Sequence, residues 1–134
     1  MTDPTTTYSN HAILITPMDH MAGEIIPFDN TVSPNHLAWL YFNLGCHMVQ
    51  VVTPQPGSIF ADLAIDGWCD EEGLYVPEPK LNGTVMITFG YPQIVGNVLL
   101  TGNDDQGNTL PLDPDVITEI SKFLTLTPSV ATVG

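Results

Sequence analysis

The 134-residue chain carries 15 Asp and Glu against two basic side chains, Lys80 and Lys122, giving a formal net charge of −13. The acidic count is ordinary for a soluble domain, so the imbalance comes from depletion of positive charge. That depletion argues against gripping phosphates, nucleic acid or anionic membranes, and towards protein binding.

Hydrophobic residues make up 43% of the chain, enough for the core of one domain and against wholesale disorder. The first residues lack the basic and apolar regions of a signal peptide. The longest charge-free runs are broken by Pro, Gly and Asn, so none reads as a membrane span. Both observations predict a soluble, cytoplasmic protein. In that setting Cys46 and Cys69 are expected as reduced thiols rather than a bridge. No Asp, Glu, Lys or Arg lies between Asn30 and Ala61 or between Leu81 and Asn103. Neutral segments this long are buried or form an interface, so self-association is a further expectation.

In chain order, residues 1–10 read as a polar, flexible arm. Ala12–Ile15 is an apolar run stopped by Pro17, and Glu24–Phe28 reads as its hairpin partner, with Pro27 placing it at a sheet edge. Ser33, Pro34 and Gly45 are cap, first-turn and stop signals for a helix over residues 34–44. Leu37, Leu40, Tyr41 and Leu44 form its apolar stripe, with Trp39 and Phe42 off it, which predicts a central or partner-covered helix. Met48–Val52 reads as a strand, with Ser58–Ile65 as its antiparallel neighbour. Thr84–Phe89 is a strand candidate with a short helix as the alternative, and Ile94–Leu100 is another strand. Asp113 and Pro114 start a second helix over residues 114–124. Its stripe is Val116, Ile117, Ile120, Phe123 and Leu124, and Lys122 suits its last turn. Residues 126–134 read as a loose tail. The expected fold is one α+β domain over residues 11–125, with a mainly antiparallel sheet of short strands and two helices.

Chemistry is thinly signalled. The stretches Asp66–Gly73 and Asn103–Asn108 are rich in oxygen ligands, yet neither follows the calcium-loop alternation, and both read as solvated turns. Cys46, His47, Cys69 and His36 lack zinc-ligand spacing, and Met18–Met21 reads as a loop rather than a copper site. Phosphate-loop and Gly-x-Ser-x-Gly patterns are absent, and neither cysteine has a surrounding catalytic signature. The expectation is therefore no catalytic residue, no metal and no cofactor.

From about Leu37 to Leu112 the chain resembles the family called domain of unknown function 3846, found in bacteriophages and bacteria. An apolar helix leads into Gly45 and a Val-rich strand. Asp70-Glu71-Glu72-Gly73-Leu74, Pro79-Lys80-Leu81-Asn82 and the block Ile94 to Gly107 carry the match. The chain departs from the family in having Asn97 where Pro follows the glycine, and in losing most basic positions. The resemblance implies a phage or mobile-element origin and supplies no activity. Physically, Gly73 and Gly107 read as turn residues with φ > 0, and Gly96 and Gly102 as points of close backbone approach or bulges.

The expectation that follows is a small acidic phage accessory protein, not an enzyme, that binds and modulates or inhibits a host protein with a basic surface, possible targets including a defence protein. Asp66, Asp70, Glu71, Glu72, Asp104 and Asp105 would steer the encounter, and exposed Trp68 and Tyr75 would anchor it. Direct binding of nucleic acid or membrane is not expected. One alternative is a DNA mimic that blocks a nucleic-acid-binding enzyme, for which 15 carboxylates in 134 residues is a low density. Another is a self-assembling structural protein with the neutral segments as subunit contacts.

Overall fold

The computed structural model describes residues 10–28, 37–104, 106 and 108–128. The expected arm up to Ser9, the Ser33 and Pro34 capping signals, Gly107 and the tail beyond Pro128 lie outside them.

The order of elements is β1 (His11–Ile15), β2 (Ala22–Pro27), α1 (Leu37–Leu44), β3 (Val49–Val52), β4 (Ile65–Asp70), α2 (Gly83–Phe89), β5 (Val98–Asn103), β6 (Thr109–Leu110), α3 (Pro114–Ile120) and β7 (Thr125–Pro128). The class is α+β, as the sequence indicated, with three α-helices among the described residues where two were expected. The strands form one sheet in the order β3-β4-β5-β1-β2-β7. β6 pairs with Gly102 and Asn103, where β5 runs past the end of β1. Every pairing is antiparallel except β2 with β7.

The central strand β5 is buried through its first five residues, as a strand covered on both faces must be. On one face Ile13, Ile15, Val98 and Leu100 pack with Phe60, Val85, Phe89, Ile117 and Ile120. α2, α3 and the loop carrying Phe60 therefore cover that side. On the other face Ala12 and Leu99 pack with Leu40 and Leu44 of α1. Leu40 and Leu44 of the expected stripe face the sheet with Tyr41 beside them, Trp39, expected off the stripe, packs there too, and Phe42 stays 85% exposed. Gly45, at φ 66, ends the helix.

The structure corrects several sequence expectations. Ser58–Ile65 is not the partner of β3. Residues 58–63 wind through successive turns, with N–H to C=O bonds from Ser58 to Gln55, Ala61 to Ser58 and Leu63 to Phe60. Phe60 drops into the core while Ile59 stays 43% exposed. The partner is Ile65–Asp70, in which Ile65, Gly67 and Cys69 are buried and the alternate residues are not. Thr84–Phe89 is the helix α2, not a strand. The Asn82 side chain accepts the Val85 N–H at its start, and Gly90 in the left-handed region ends it. The strand expected over Ile94–Leu100 begins at Val98 rather than Ile94 and runs on to Asn103.

α3 starts at Pro114, with the Asp113 carboxylate accepting the Asp115 N–H at 2.8 Å, but it stops at Ile120. Turn bonds from Phe123 and Leu124 to the Ile120 carbonyl redirect the chain, and the Thr125 N–H bonds to the Met21 carbonyl. Residues 126–128 therefore belong to β7, a strand in the sheet, rather than to a tail. β7 pairs only with Ala22–Ile25, so Pro27 lies beyond its reach and its missing N–H costs no ladder bond. Gly73 does not have φ > 0. It is required by close approach, since a Cβ there would stand 2.6 Å from Val95 Cγ2.

Candidate functional site

β4 and the turn after it hold most of the residues singled out in the sequence. Asp66, Trp68 and Asp70 alternate with buried Ile65, Gly67 and Cys69, so they share the sheet face that α1 covers. Trp68 is not an exposed anchor. Its indole packs with the α1-side cluster, opposite Val51 and Leu99, and donates its N–H to Thr101 Oγ1 at 2.9 Å. Burial pushes the Asp66 carboxyl above the usual aspartate value, opposed by a hydrogen bond from the Asn103 side chain.

At the other end of β4 the chain turns outward. The Asp70 carboxylate accepts the Glu72 N–H at 2.8 Å, which fixes the turn. Glu71 and Glu72 are exposed, and a 3-10 turn at Gly73–Tyr75 follows. Leu74 and Tyr75 are 53% and 86% exposed, and Val76 is 44% exposed. Asp66 and Asp70 stand about 13 Å apart along the strand. The residues therefore form two groups, not one site. Asp104 goes with the Asp66 end, in the β5–β6 hairpin. Its carboxylate takes the Asn108 side-chain amide at 2.8 Å and the Asn108 and Gln106 N–H groups at 2.9 and 2.8 Å. These bonds, the Asn108 side chain first, hold its carboxyl below the usual value. Asp104 organises a hairpin, and Asp105 lies outside the described residues.

Two small clefts flank the turn. One, of about 220 Å³, lies between β3 and residues 91–95, with Gln50, Val52, Cys69 and Ile94 in its walls. The other, of about 290 Å³, lies between the β1–β2 loop and residues 76–80, with Pro17, Met18, Val76 and Lys80 in its walls. Both fall below the roughly 300–1,000 Å³ of small-molecule sites. Neither was anticipated, because each joins segments distant in sequence. The only signal in the chain was the spacing of Gln50 and Val52 on one side of a strand.

Cys46 and Cys69 are free and buried. Burial raises both thiols, with the Asp70 charge adding to it, while the Cys69 hydrogen bond to Gln50 pulls the other way. Raised thiols are poor nucleophiles and poor metal ligands at neutral pH. Among the described residues no three His, Cys, Asp or Glu converge to hold a metal. No described helix is long and apolar enough to cross a membrane.

The fold and site define an α+β protein of one mixed sheet, which exposes an acidic, aromatic-bearing turn beside an edge strand. The chain belongs to the family described as Domain of unknown function (DUF3846), whose model matches residues 10–125. The match takes in the β1–β2 hairpin and α3 as well as the segment that the glycine and turn motifs mark. No curated protein and no solved structure matches the chain.

Proposed function

We propose that this is an acidic, non-catalytic binding protein that docks on a basic surface of another protein and modulates or inhibits it. The setting is that of a bacteriophage accessory protein acting in the host cytoplasm, with a defence protein as one class of target. The observation that carries the reading is the turn after β4. Leu74, Tyr75 and Val76 are exposed there within a segment that also exposes Glu71, Glu72 and Glu78. Aromatic and aliphatic side chains rimmed by charge suit a partner contact, with tyrosine as anchor and the carboxylates raising the rate of encounter. The scarcity of lysine and the lack of arginine support a basic counterpart.

The test is affinity capture from bacterial lysate with the tagged protein at low and high salt, read by mass spectrometry. One dominant basic protein should bind at low salt and be lost at high salt. Tyr75→Ala should weaken that complex about thirtyfold. Recovery of nothing but the chain itself at either salt would refute the reading.

A further inference from the structure

We propose that β3 is a docking strand: its outer edge takes an extended basic segment of the partner as an added strand, and one lysine or arginine of that segment occupies the adjoining cleft beside Glu71. The inference rests on the protein-binding reading above and specifies its mode.

β3 ends the sheet, with only β4 beside it among the described residues. Val49 lies opposite Asp70 and Val51 opposite Trp68, and the Glu71 N–H bonds to the Met48 carbonyl at 3.0 Å. Antiparallel ladders alternate, so Met48, Gln50 and Val52 turn their backbone groups towards β4. The N–H and C=O groups of Val49 and Val51 then point out of the sheet. Met48 and Val51 are each 48% exposed. The edge lacks the usual protections, since Val49–Val52 contains no Lys, Pro or charge. At its far end the Tyr91 hydroxyl donates to the Thr53 carbonyl at 2.7 Å, and Pro54 follows. An added strand is thereby confined to the stretch from Met48 to Val52.

The cleft supplies the second half of such a site. Gln50 and Val52, two apart on β3, both line it, as do Glu71 and Ile94. A strand laid along β3 presents alternate side chains to that face. Strand addition draws affinity from the main chain and selectivity from such a pocket. At about 220 Å³ it is sized for a single side chain rather than a metabolite. A lysine or arginine stem can lie against Val52 and Ile94 while its head meets Glu71. A second copy is a poor occupant, because the chain has two lysines and each copy brings a charge of −13.

The probe is a short peptide of alternating valine and lysine. It is compared with the same peptide carrying N-methyl groups on alternate backbone amides, which keeps charge but blocks ladder bonding. Binding is read by calorimetry and by amide shifts, with light scattering alongside. Val51→Pro is the matching variant on the protein, at an outward position where proline removes no bond to β4. The unmethylated peptide should bind with shifts at Val49 and Val51. Methylation, Val51→Pro and Glu71→Gln should each cost about tenfold or more. Equal binding of the methylated peptide, or an unaffected Val51→Pro variant that folds, overturns the docking strand and leaves the acidic-surface reading standing. Failure to bind the peptide, with salt-dependent binding of a folded basic protein, has the same meaning. Binding of neither overturns both. A dimer of the free protein that Val51→Pro abolishes overturns the choice of occupant in favour of a second copy.

Discussion

The Asn82 amide is fully buried, and each of its polar atoms is used. Nδ2 donates to the Ile15 and Gly96 carbonyls at 3.0 and 2.9 Å, and Oδ1 accepts the Val85 N–H at 3.2 Å. One side chain thus ties the start of α2 to β1 and to the loop before β5. Asn82→Ala should cost about 3 kcal/mol in denaturant unfolding, for a lost cap and two orphaned buried carbonyls. Asp66 behaves oppositely. Its folded-state pKa is raised by burial, so its ionised form opposes folding once pH has risen past that value. Below the ordinary value of 3.8 the carboxyl is protonated in both states and the penalty vanishes. Asp66→Asn should therefore raise the melting temperature at neutral pH, with the gain shrinking as pH falls through the acidic range. A variant less stable than wild type at pH 7 would contradict this account.

At the scale of elements, the start of α3, the end of α1 and the first hairpin were legible because their signals are local. Asp113 with Pro114, Gly45, and the β1–β2 pair all depend on chemistry within a few residues. The neighbour of β3 was not legible. Ser58–Ile65 has the composition of a strand, but Phe60 gains more by entering the core than the segment gains by pairing. The alternation of Ile65, Gly67 and Cys69 was hidden under the acidity of the intervening residues. That misreading turned a half-buried strand into a solvated loop, and it made Trp68 look exposed. The turn carrying Glu71, Glu72 and Tyr75 was legible, whereas the cleft beside β3 was not, because its walls are far apart in sequence. β7 was missed because four residues near the end of a chain carry no period of their own, and its pairing depends on β2. Leu126 nevertheless packs on the core, and it lies against Gly23. Deleting residues 125–134 should bare the β2 edge, lower the melting temperature and cause association that rises with concentration in light scattering.

For the whole molecule the governing quantity is uncompensated charge. Lys122 lies in the turn after α3 rather than in its last turn, and it is engaged with Glu119 at 2.7 Å, an exposed pair of small energetic weight. It leaves the excess of carboxylates essentially intact. Self-repulsion of this kind destabilises the compact state and is screened by salt. Thermal unfolding should therefore shift upward between low ionic strength and about 0.15 M salt, with no change in oligomeric state. A melting temperature that falls over that range would show that specific ion pairs outweigh the repulsion. The same salt should weaken a basic partner, so stability and binding are expected to move in opposite directions.

The parallel pairing of β2 with β7 also sets a clock. Ala22 meets Thr125, so the two strands are separated by roughly 100 residues of chain. At about 5–20 residues per second, a ribosome takes on the order of 5–20 s to deliver the second strand after the first has emerged. For that interval the β2 flank of the β1–β2 hairpin stays open, and it is closed only when β7 leaves the exit tunnel.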